Sequence, residues 1–159
     1  MERLATDADF AFIYALYMHP QVNPWLLYEL MEPEDFRPVF NELIAKKAVY
    51  VFEMEHTPVG MFKLVPQKFR NSHIVYLGGV AIHPDYKGRK LGEKMLGRAI
   101  EMAKMSGFSR VELTVAVVNS RAIQLYEKLG FVNEGILRNY SFLAAENRYI
   151  DEQVMSKLI

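Results

Sequence analysis

The chain has 159 residues, of which 51% are hydrophobic and 24% charged, a balance typical of a globular protein rather than a disordered one. Its 19 basic and 19 acidic residues cancel, so the sequence offers no extended basic surface for duplex nucleic acid. The absence of cysteine excludes a disulfide framework and a thiolate zinc site. We expect one domain over residues 1–159, with no bound metal and no nucleic-acid partner.

The first residues argue against a secretory leader, because Met1 is followed by Glu2 and Arg3 rather than by an apolar run. No uninterrupted apolar stretch reaches the length of a membrane-spanning helix. We therefore expect a cytoplasmic protein with no membrane partner.

In the first half of the chain, apolar spacing and the positions of proline predict two helices and three strands. Thr6 or Asp7 is placed to cap the first helix, which His19-Pro20 ends. Pro33 suits the start of the second helix, where its missing N–H costs nothing. We predict a strand at 3–5, helices at about 7–19 and 33–46, and strands at 49–53 and 59–65.

The second half begins with a long strand pattern at 73–82, interrupted by Gly78-Gly79. Paired glycines inside a strand indicate a bulge or a close approach of another backbone. Apolar spacing then predicts a helix over 91–105 and a strand over 110–117, and these two strands must lie parallel because a helix crosses over between them. The remaining predicted elements are a helix over 120–129, a strand from Phe131 onward and a strand over 148–158.

A basic, glycine-containing loop connects the long strand to the helix that follows it. Backbone N–H groups of such a loop and of the first helical turn point toward one spot, which suits a phosphate or pyrophosphate. The glycine spacing matches neither the dinucleotide nor the common NTP-binding fingerprint, and an ordinary strand-to-helix connection fits the loop alone equally well. The residues concerned are Lys87, Gly88, Arg89, Lys90, Leu91, Gly92 and Glu93.

The segment after the next strand makes the interpretation specific. Asn119, Ala122, Tyr126 and Gly130-Phe131 stand at the spacing Asn-x-x-Ala-x-x-x-Tyr-x-x-x-Gly-Phe. Together with the preceding loop, this pattern resembles the GNAT superfamily of N-acetyltransferases. The resemblance extends from about residue 73 to the C-terminus, and more faintly to the opening residues.

The resemblance implies an α/β fold with a mixed central sheet of six to seven strands, in the order β-α-α-β-β-β-α-β-α-β-β. It also implies a splayed parallel pair of strands at the cofactor site. The cofactor would be acetyl-CoA (CoA), with its pantetheine arm on the backbone of Val80, Ala81 and Ile82. Its pyrophosphate would lie on the loop at 87–93, and Asn119 would both cap its helix and contact the cofactor.

Tyr126 is the candidate general acid. It lies two turns into a helix whose start points at the cofactor, and a phenol with a reference pKa near 10 can deliver a proton to the leaving thiolate. The alternative interpretation is a core aromatic side chain whose hydroxyl is hydrogen-bonded.

Lys90 departs from the resembled motif, which usually has glycine at this position. We expect a side chain here to hold the backbone at ordinary φ, so that the turn differs slightly, while the ammonium could pair with a phosphate.

For the acceptor side, the resemblance implies that the segment at 20–32 shapes substrate choice. We expect Trp25, Tyr28, Tyr76 and Tyr140 to line the acceptor site, although the residues of 20–32 alone equally favour a loop packed on the core. The general base stays open: Glu112, His73 and a water chain are the candidates, and for the two side chains a structural or solvent-facing role is the simpler reading.

We therefore expect an enzyme that transfers the acetyl group of acetyl-CoA directly to a primary amine of a small molecule. A peptide-like α-amine with a pKa of about 8 is roughly a tenth neutral at pH 7, whereas a lysine amine near 10.4 is almost fully charged, which mildly favours an α-amino acceptor. Free amino acids fall between the two, so this comparison leaves the class of acceptor open. The alternatives are a protein N-terminal acetyltransferase of the ribosomal-protein type and a non-catalytic CoA-binding regulatory module. A homodimer is left open.

Overall fold

In the computed structural model, which describes residues 1–159, the predicted strands form one seven-stranded sheet of order β1-β2-β3-β4-β5-β7-β6. The strands are β1 (Glu2–Leu4), β2 (Val49–Met54), β3 (Thr57–Pro66), β4 (Ile74–Ile82), β5 (Arg110–Ala116), β6 (Val132–Leu143) and β7 (Arg148–Leu158). The helices are α1 (Phe10–Tyr17), α2 (Pro33–Ala45), α3 (Leu91–Met105) and α4 (Ser120–Lys128). The predicted mixed α/β fold and its element order are confirmed.

One strand pair sets the character of the sheet. All neighbouring strands pair antiparallel except β4 and β5, which run parallel through only three residue pairs, from Ile74↔Arg110 to Tyr76↔Glu112. Beyond these pairs the two strands diverge, and a cleft opens between them. This is the splayed parallel pair that the sequence predicts.

Helices cover both faces of the sheet, and strand alternation assigns each side chain to one face. Val75, Leu77 and Leu113 point toward α3 and α4 and belong to the larger core cluster. Met61 and Ala81 point the other way and pack with α1 and α2 in a second cluster. Side chains of either layer can therefore reach the cleft between β4 and β5.

The paired glycines of β4 form the predicted bulge. Met61 lies opposite Ala81 and Lys63 opposite Gly78, so β4 contains one more residue than β3 over this interval. Gly79 has φ +56°, and a Cβ added there would lie 3.0 Å from Lys63 Cε and 3.2 Å from the Tyr17 hydroxyl. Only glycine fits both the backbone conformation and the space.

The two edges of the sheet differ in length. β1 contributes only three residues at one edge, whereas β6 is the other edge and has 12 residues. The pairing of β6 with β7 shifts register twice, between Asn133 and Gly135 and between Leu137 and Ser141.

No helix is both long and apolar enough to cross a bilayer.

We predict that Gly79→Ala lowers the free energy of unfolding by about 2 kcal/mol, because it combines left-handed strain with close contacts to Lys63 and Tyr17. The matched control is Gly97→Ala in α3, where an added Cβ meets nothing within 4 Å. That control should raise the free energy of unfolding by about 1 kcal/mol through helix propensity. Urea unfolding curves measure both, and equal effects of the two substitutions would contradict the assigned bulge.

Candidate active site

The divergence of β4 and β5 creates a cleft of about 1110 Å³ that runs from the start of α3 to the end of β6 and the beginning of β7. Strand pairing explains the opening: the edge of residues 77–82 that faces β5 has no strand partner. Val80, Ala81 and Ile82 line this stretch of the cleft. Their backbone groups are available to a ligand that lies along the strand.

One end of the cleft is built from two helix starts. Lys87, Gly88, Lys90, Leu91, Gly92 and Glu93 line it from the loop before α3 and from the first turn of that helix. Asn119 and Arg121 line it from the start of α4, and Asn119 Oδ1 accepts a hydrogen bond from the Ala122 amide at 3.2 Å. Two helix N-termini with nearby cations suit an anion, and we refer to this part of the cleft as its anion-binding end.

Lys90 corrects one sequence expectation. Its side chain was expected to hold the backbone at ordinary φ, yet it caps α3 in the left-handed conformation at φ 56° and ψ 19°. The loop therefore makes the turn that glycine would make. The left-handed backbone of Lys90 costs about 1–2 kcal/mol relative to an ordinary conformation. The Lys90 ammonium is retained at the anion-binding end.

Arg89 stands apart from the other loop residues. It does not line the cleft, and its guanidinium lies 5.4 Å from the centroid of the Tyr86 ring. Its predicted cofactor contact stays a prediction. Lys87 instead reaches back across the cleft mouth and donates a hydrogen bond to Gln21, which joins the loop to the segment at 20–32.

Tyr126 reaches the cleft from the α3 and α4 side. Its ring packs edge-on against Phe131 at 5.7 Å between centroids, and only 8% of the residue is exposed. Burial, with a smaller contribution from nearby Tyr76, raises the pKa of the Tyr126 hydroxyl well above its ordinary value. The hydroxyl is protonated at neutral pH, as a phenol of ordinary pKa already is, and the ring also belongs to the core.

The four predicted acceptor-site residues all line the same cleft. Trp25 and Tyr28 come from the segment at 20–32, Tyr76 from β4 and Tyr140 from β6. Part of the segment at 20–32 packs on the core and part lies at the rim of the cleft. The Asn23 amide is buried and donates to the carbonyls of Tyr17 and Tyr28 at 3.0 and 2.9 Å, whereas Trp25 is 51% exposed at the rim.

A carboxylate that sequence reasoning missed lies beside Tyr76. Glu152 of β7 lines the cleft and is buried, and its Oε1 accepts a hydrogen bond from the Ser141 hydroxyl at 3.1 Å. Its other oxygen, Oε2, accepts no protein hydrogen bond and is not sealed from the cleft. Alternation along β7 was visible in the sequence, but only the pairing Ala116↔Glu152 brings this side chain to the site.

The two side chains that the sequence analysis considered as the general base lie outside the cleft. Neither Glu112 nor His73 lines the cleft, and Glu112 pairs with Arg110 at 3.3 Å near the closed end of the β4 and β5 pair.

Tyr76 is held in the cleft by a 3.1 Å hydrogen bond between its hydroxyl and that of Thr114. Burial raises the pKa of Tyr76. No cluster of three or more histidine, aspartate or glutamate side chains is arranged to hold a metal ion.

A sequence model of the Acetyltransferase (GNAT) family matches residues 10–131. The chain is 33% identical to the L-amino acid N-acetyltransferase AaaT of Escherichia coli over 166 aligned residues. This alignment covers 98% of this chain and 96% of that protein. Two further relatives are matched over less than half of their own length. N-acetyltransferase MJ1207 of Methanocaldococcus jannaschii is 31% identical over 57% of this chain and 42% of that protein. The ribosomal protein bS18-alanine N-acetyltransferase of E. coli is 39% identical over 40% of this chain and 43% of that protein.

Solved structures give the same fold. The crystal structure of spermidine N-acetyltransferase from Vibrio cholerae, in complex with CoA and spermine, superimposes with a TM-score of 0.87 over 99% of this chain and 94% of that one. The sequence identity of that pair is 24%.

We predict that Lys90→Gly raises the free energy of unfolding by about 0.5 to 1 kcal/mol, because relief of left-handed strain exceeds the added entropy of the unfolded chain. The same variant should bind acetyl-CoA more weakly, since it removes a cation from the anion-binding end. Urea unfolding and titration calorimetry measure the two effects.

Lys94→Gly, at an exposed site in α3 with ordinary φ, is the matched control for the Lys90 variant. It should cost about 1 kcal/mol through helix propensity. A Lys90→Gly protein destabilised as much as this control would contradict the left-handed assignment.

Proposed function

We propose, from the premise that this chain belongs to the GNAT family of acetyltransferases, that it acetylates the primary amine of a small molecule, with amino acids as the first candidates. It is an acetyl-CoA-dependent N-acetyltransferase, and the acceptor is the part that we propose. The observation that carries the proposal is one continuous cleft in which an anion-binding end, an unpaired strand edge and a protonated tyrosine lie in sequence.

The residues of the cleft fit acetyl-CoA by the chemistry of their donors. The amides at the starts of α3 and α4, with Lys87 and Lys90, suit the phosphates. The unpaired edge of β4 at Val80–Ile82 offers backbone groups to the amides of a pantetheine arm. When bound, the cofactor supplies an activated acetyl thioester.

Tyr126 would protonate the sulfur that leaves. It reaches the split between the strands from one face of the sheet, and its phenol carries a proton at neutral pH, as a tyrosine of ordinary pKa already does. The proton on the phenol also stabilises the developing negative charge as a hydrogen-bond donor.

Glu152 would receive the proton that the amine loses. It approaches the split from the opposite face, and its free Oε2 can accept a hydrogen bond from the incoming ammonium, directly or through water. The donor and the acceptor of protons would then stand on opposite faces of the sheet. This arrangement separates the two proton transfers in space.

A second candidate is acetylation of a protein N-terminus. The observation that favours it is the exposed apolar rim, where Trp25 is 51% and Leu27 58% exposed, a surface that a peptide could cover. The relative that acts on ribosomal protein bS18 is in keeping with it. Such an acceptor also presents an α-amine.

The proposal is tested by release of free CoA thiol from acetyl-CoA with a panel of amino acids, polyamines, aminoglycosides and short peptides. Turnover greatest with amino acids supports the proposal, and turnover confined to peptides supports the N-terminal alternative. Tight binding of acetyl-CoA without turnover of any amine would overturn both and favour a regulatory CoA-binding module.

We predict that Tyr126→Phe lowers kcat about 100-fold, in keeping with the loss of a general acid, while the Kd for acetyl-CoA is almost unchanged. Tyr149→Phe, an exposed tyrosine of β7 outside the cleft, is the control that should keep wild-type kcat. Steady-state kinetics and calorimetry give the two constants. An unchanged kcat in the Tyr126 variant would remove this hydroxyl from the mechanism.

We predict that Glu152→Gln lowers kcat/KM at least about 10-fold at pH 7, because the amine loses its proton acceptor. The deficit should shrink as pH rises toward 9, where the amine deprotonates without help. Glu112→Gln, which alters a carboxylate outside the cleft, should keep the wild-type pH profile. A pH-independent deficit in the Glu152 variant would assign this residue to packing instead.

A further inference from the structure

A lysine ammonium without a carboxylate partner lies in the part of the cleft that is lined by Trp25, Tyr28, Tyr76 and Tyr140. We call this part the acceptor half. Lys63 of β3 lines the cleft, and its Nζ donates a hydrogen bond to the Tyr28 hydroxyl at 3.1 Å. The Nζ also lies 5.0 Å from the centroid of the Tyr28 ring. None of the ion pairs of the protein includes Lys63. A ligand that supplies an anion at this point would form a charge-assisted hydrogen bond that the protein itself does not provide.

The bulge in β4 places the Lys63 side chain against Gly78 and Gly79, beside the strand edge proposed for the pantetheine arm. Lys63 Cε lies 3.6 Å and 3.0 Å from the points that Cβ atoms of Gly78 and Gly79 would occupy. The lysine stem therefore occupies the space that the two glycines leave free. Because Lys63 and Met61 alternate with buried Phe62, Lys63 projects to the face of the sheet that carries α1 and α2.

The position of Lys63 argues against a role with the cofactor phosphates. Gly78, its partner on β4, precedes Ile82 by four residues, or about 13 Å of strand, and the phosphate loop begins only beyond that point. The loop also has its own cations, Lys87 and Lys90. An anion bound at Lys63 would therefore belong to the acceptor.

The charges of the acceptor half have opposite signs on opposite sides of the split. Lys63 stands on β3, and Glu152 stands on β7, beyond β4 and β5. The remaining charged residue here is Glu29, which is exposed at the rim. An acceptor whose amine faces the split while an anionic group faces β3 matches this arrangement. A polyamine would instead bring a positive charge against the Lys63 ammonium.

We infer that Lys63, oriented by Tyr28, binds the carboxylate of the acceptor and selects α-amino acids over amines that lack an anionic group. The inference rests on the proposed transferase activity. Lys63 is a specificity-determining residue in this scheme and takes no part in proton transfer. Its contribution appears in the KM for carboxylate-bearing acceptors.

The experiment compares each proteinogenic amino acid that has a primary amine with its carboxamide, and with spermidine, in the wild type and in Lys63→Met. The ratio of kcat/KM between acid and amide, compared across the two proteins, cancels the different amine pKa values of the two acceptors. We expect Lys63→Met to lower kcat/KM for the acid at least about 10-fold, mainly through KM, and to leave that for the amide within about 2-fold.

Two controls separate charge from folding. Lys63→Arg keeps a cation at the position and should retain the preference for the acid over the amide. Lys68→Met, on an exposed residue outside the cleft, should behave as the wild type. Urea unfolding of each variant verifies that it is folded under assay conditions.

Equal losses for acid and amide in Lys63→Met would overturn the inference and leave the transferase activity standing. If no amine is turned over, the activity itself fails, and binding decides the role of Lys63 separately. Calorimetry with the same amino acids and amides in the presence of CoA then supports carboxylate recognition if the wild type binds acids that Lys63→Met does not. Absence of acid binding by the wild type overturns it.

Discussion

The parallel pairing of β4 with β5 stops after three residue pairs, and the rest of the site depends on that interruption. A parallel pair that continued would bury its backbone groups in a ladder and leave no room between the strands. The bulge at Gly79 turns β4 out of line with its neighbours, and the left-handed backbone there is accessible only because the residue lacks a side chain. A defect in pairing is thus the structural basis of the cleft.

The interruption also joins two layers that a complete sheet would keep apart. Tyr126 belongs to the core under α3 and α4, whereas Lys63 and Glu152 project from the other face of the sheet. Each layer is built by its own hydrophobic cluster, so the positions of these side chains are set by independent packing. Side chains from the two layers can therefore meet at one opening, while the packing that supports each of them stays separate.

Local patterns predicted most of this architecture. The helix over 91–105 and the strand over 148–158 were predicted with the bounds that the structure has, because apolar period and glycine stops are properties of neighbouring residues. The conformation of Lys90 was predicted wrongly, since the turn before α3 outweighs a local steric preference of one or two kcal/mol. Lys63 and Glu152 were missed because their place at the cleft follows from strand register, which couples residues far apart in the chain.

The unequal edges of the sheet bear on how the protein behaves at high concentration. An open sheet exposes unpaired amides and carbonyls along its outer strands, and these can template stacking between molecules. β1 presents only three residues with which a strand of another molecule could pair. The two register shifts of β6 bend what would otherwise be a long flat strand. Lateral growth into fibrillar aggregates is therefore discouraged at both ends, although the sheet is never closed into a barrel.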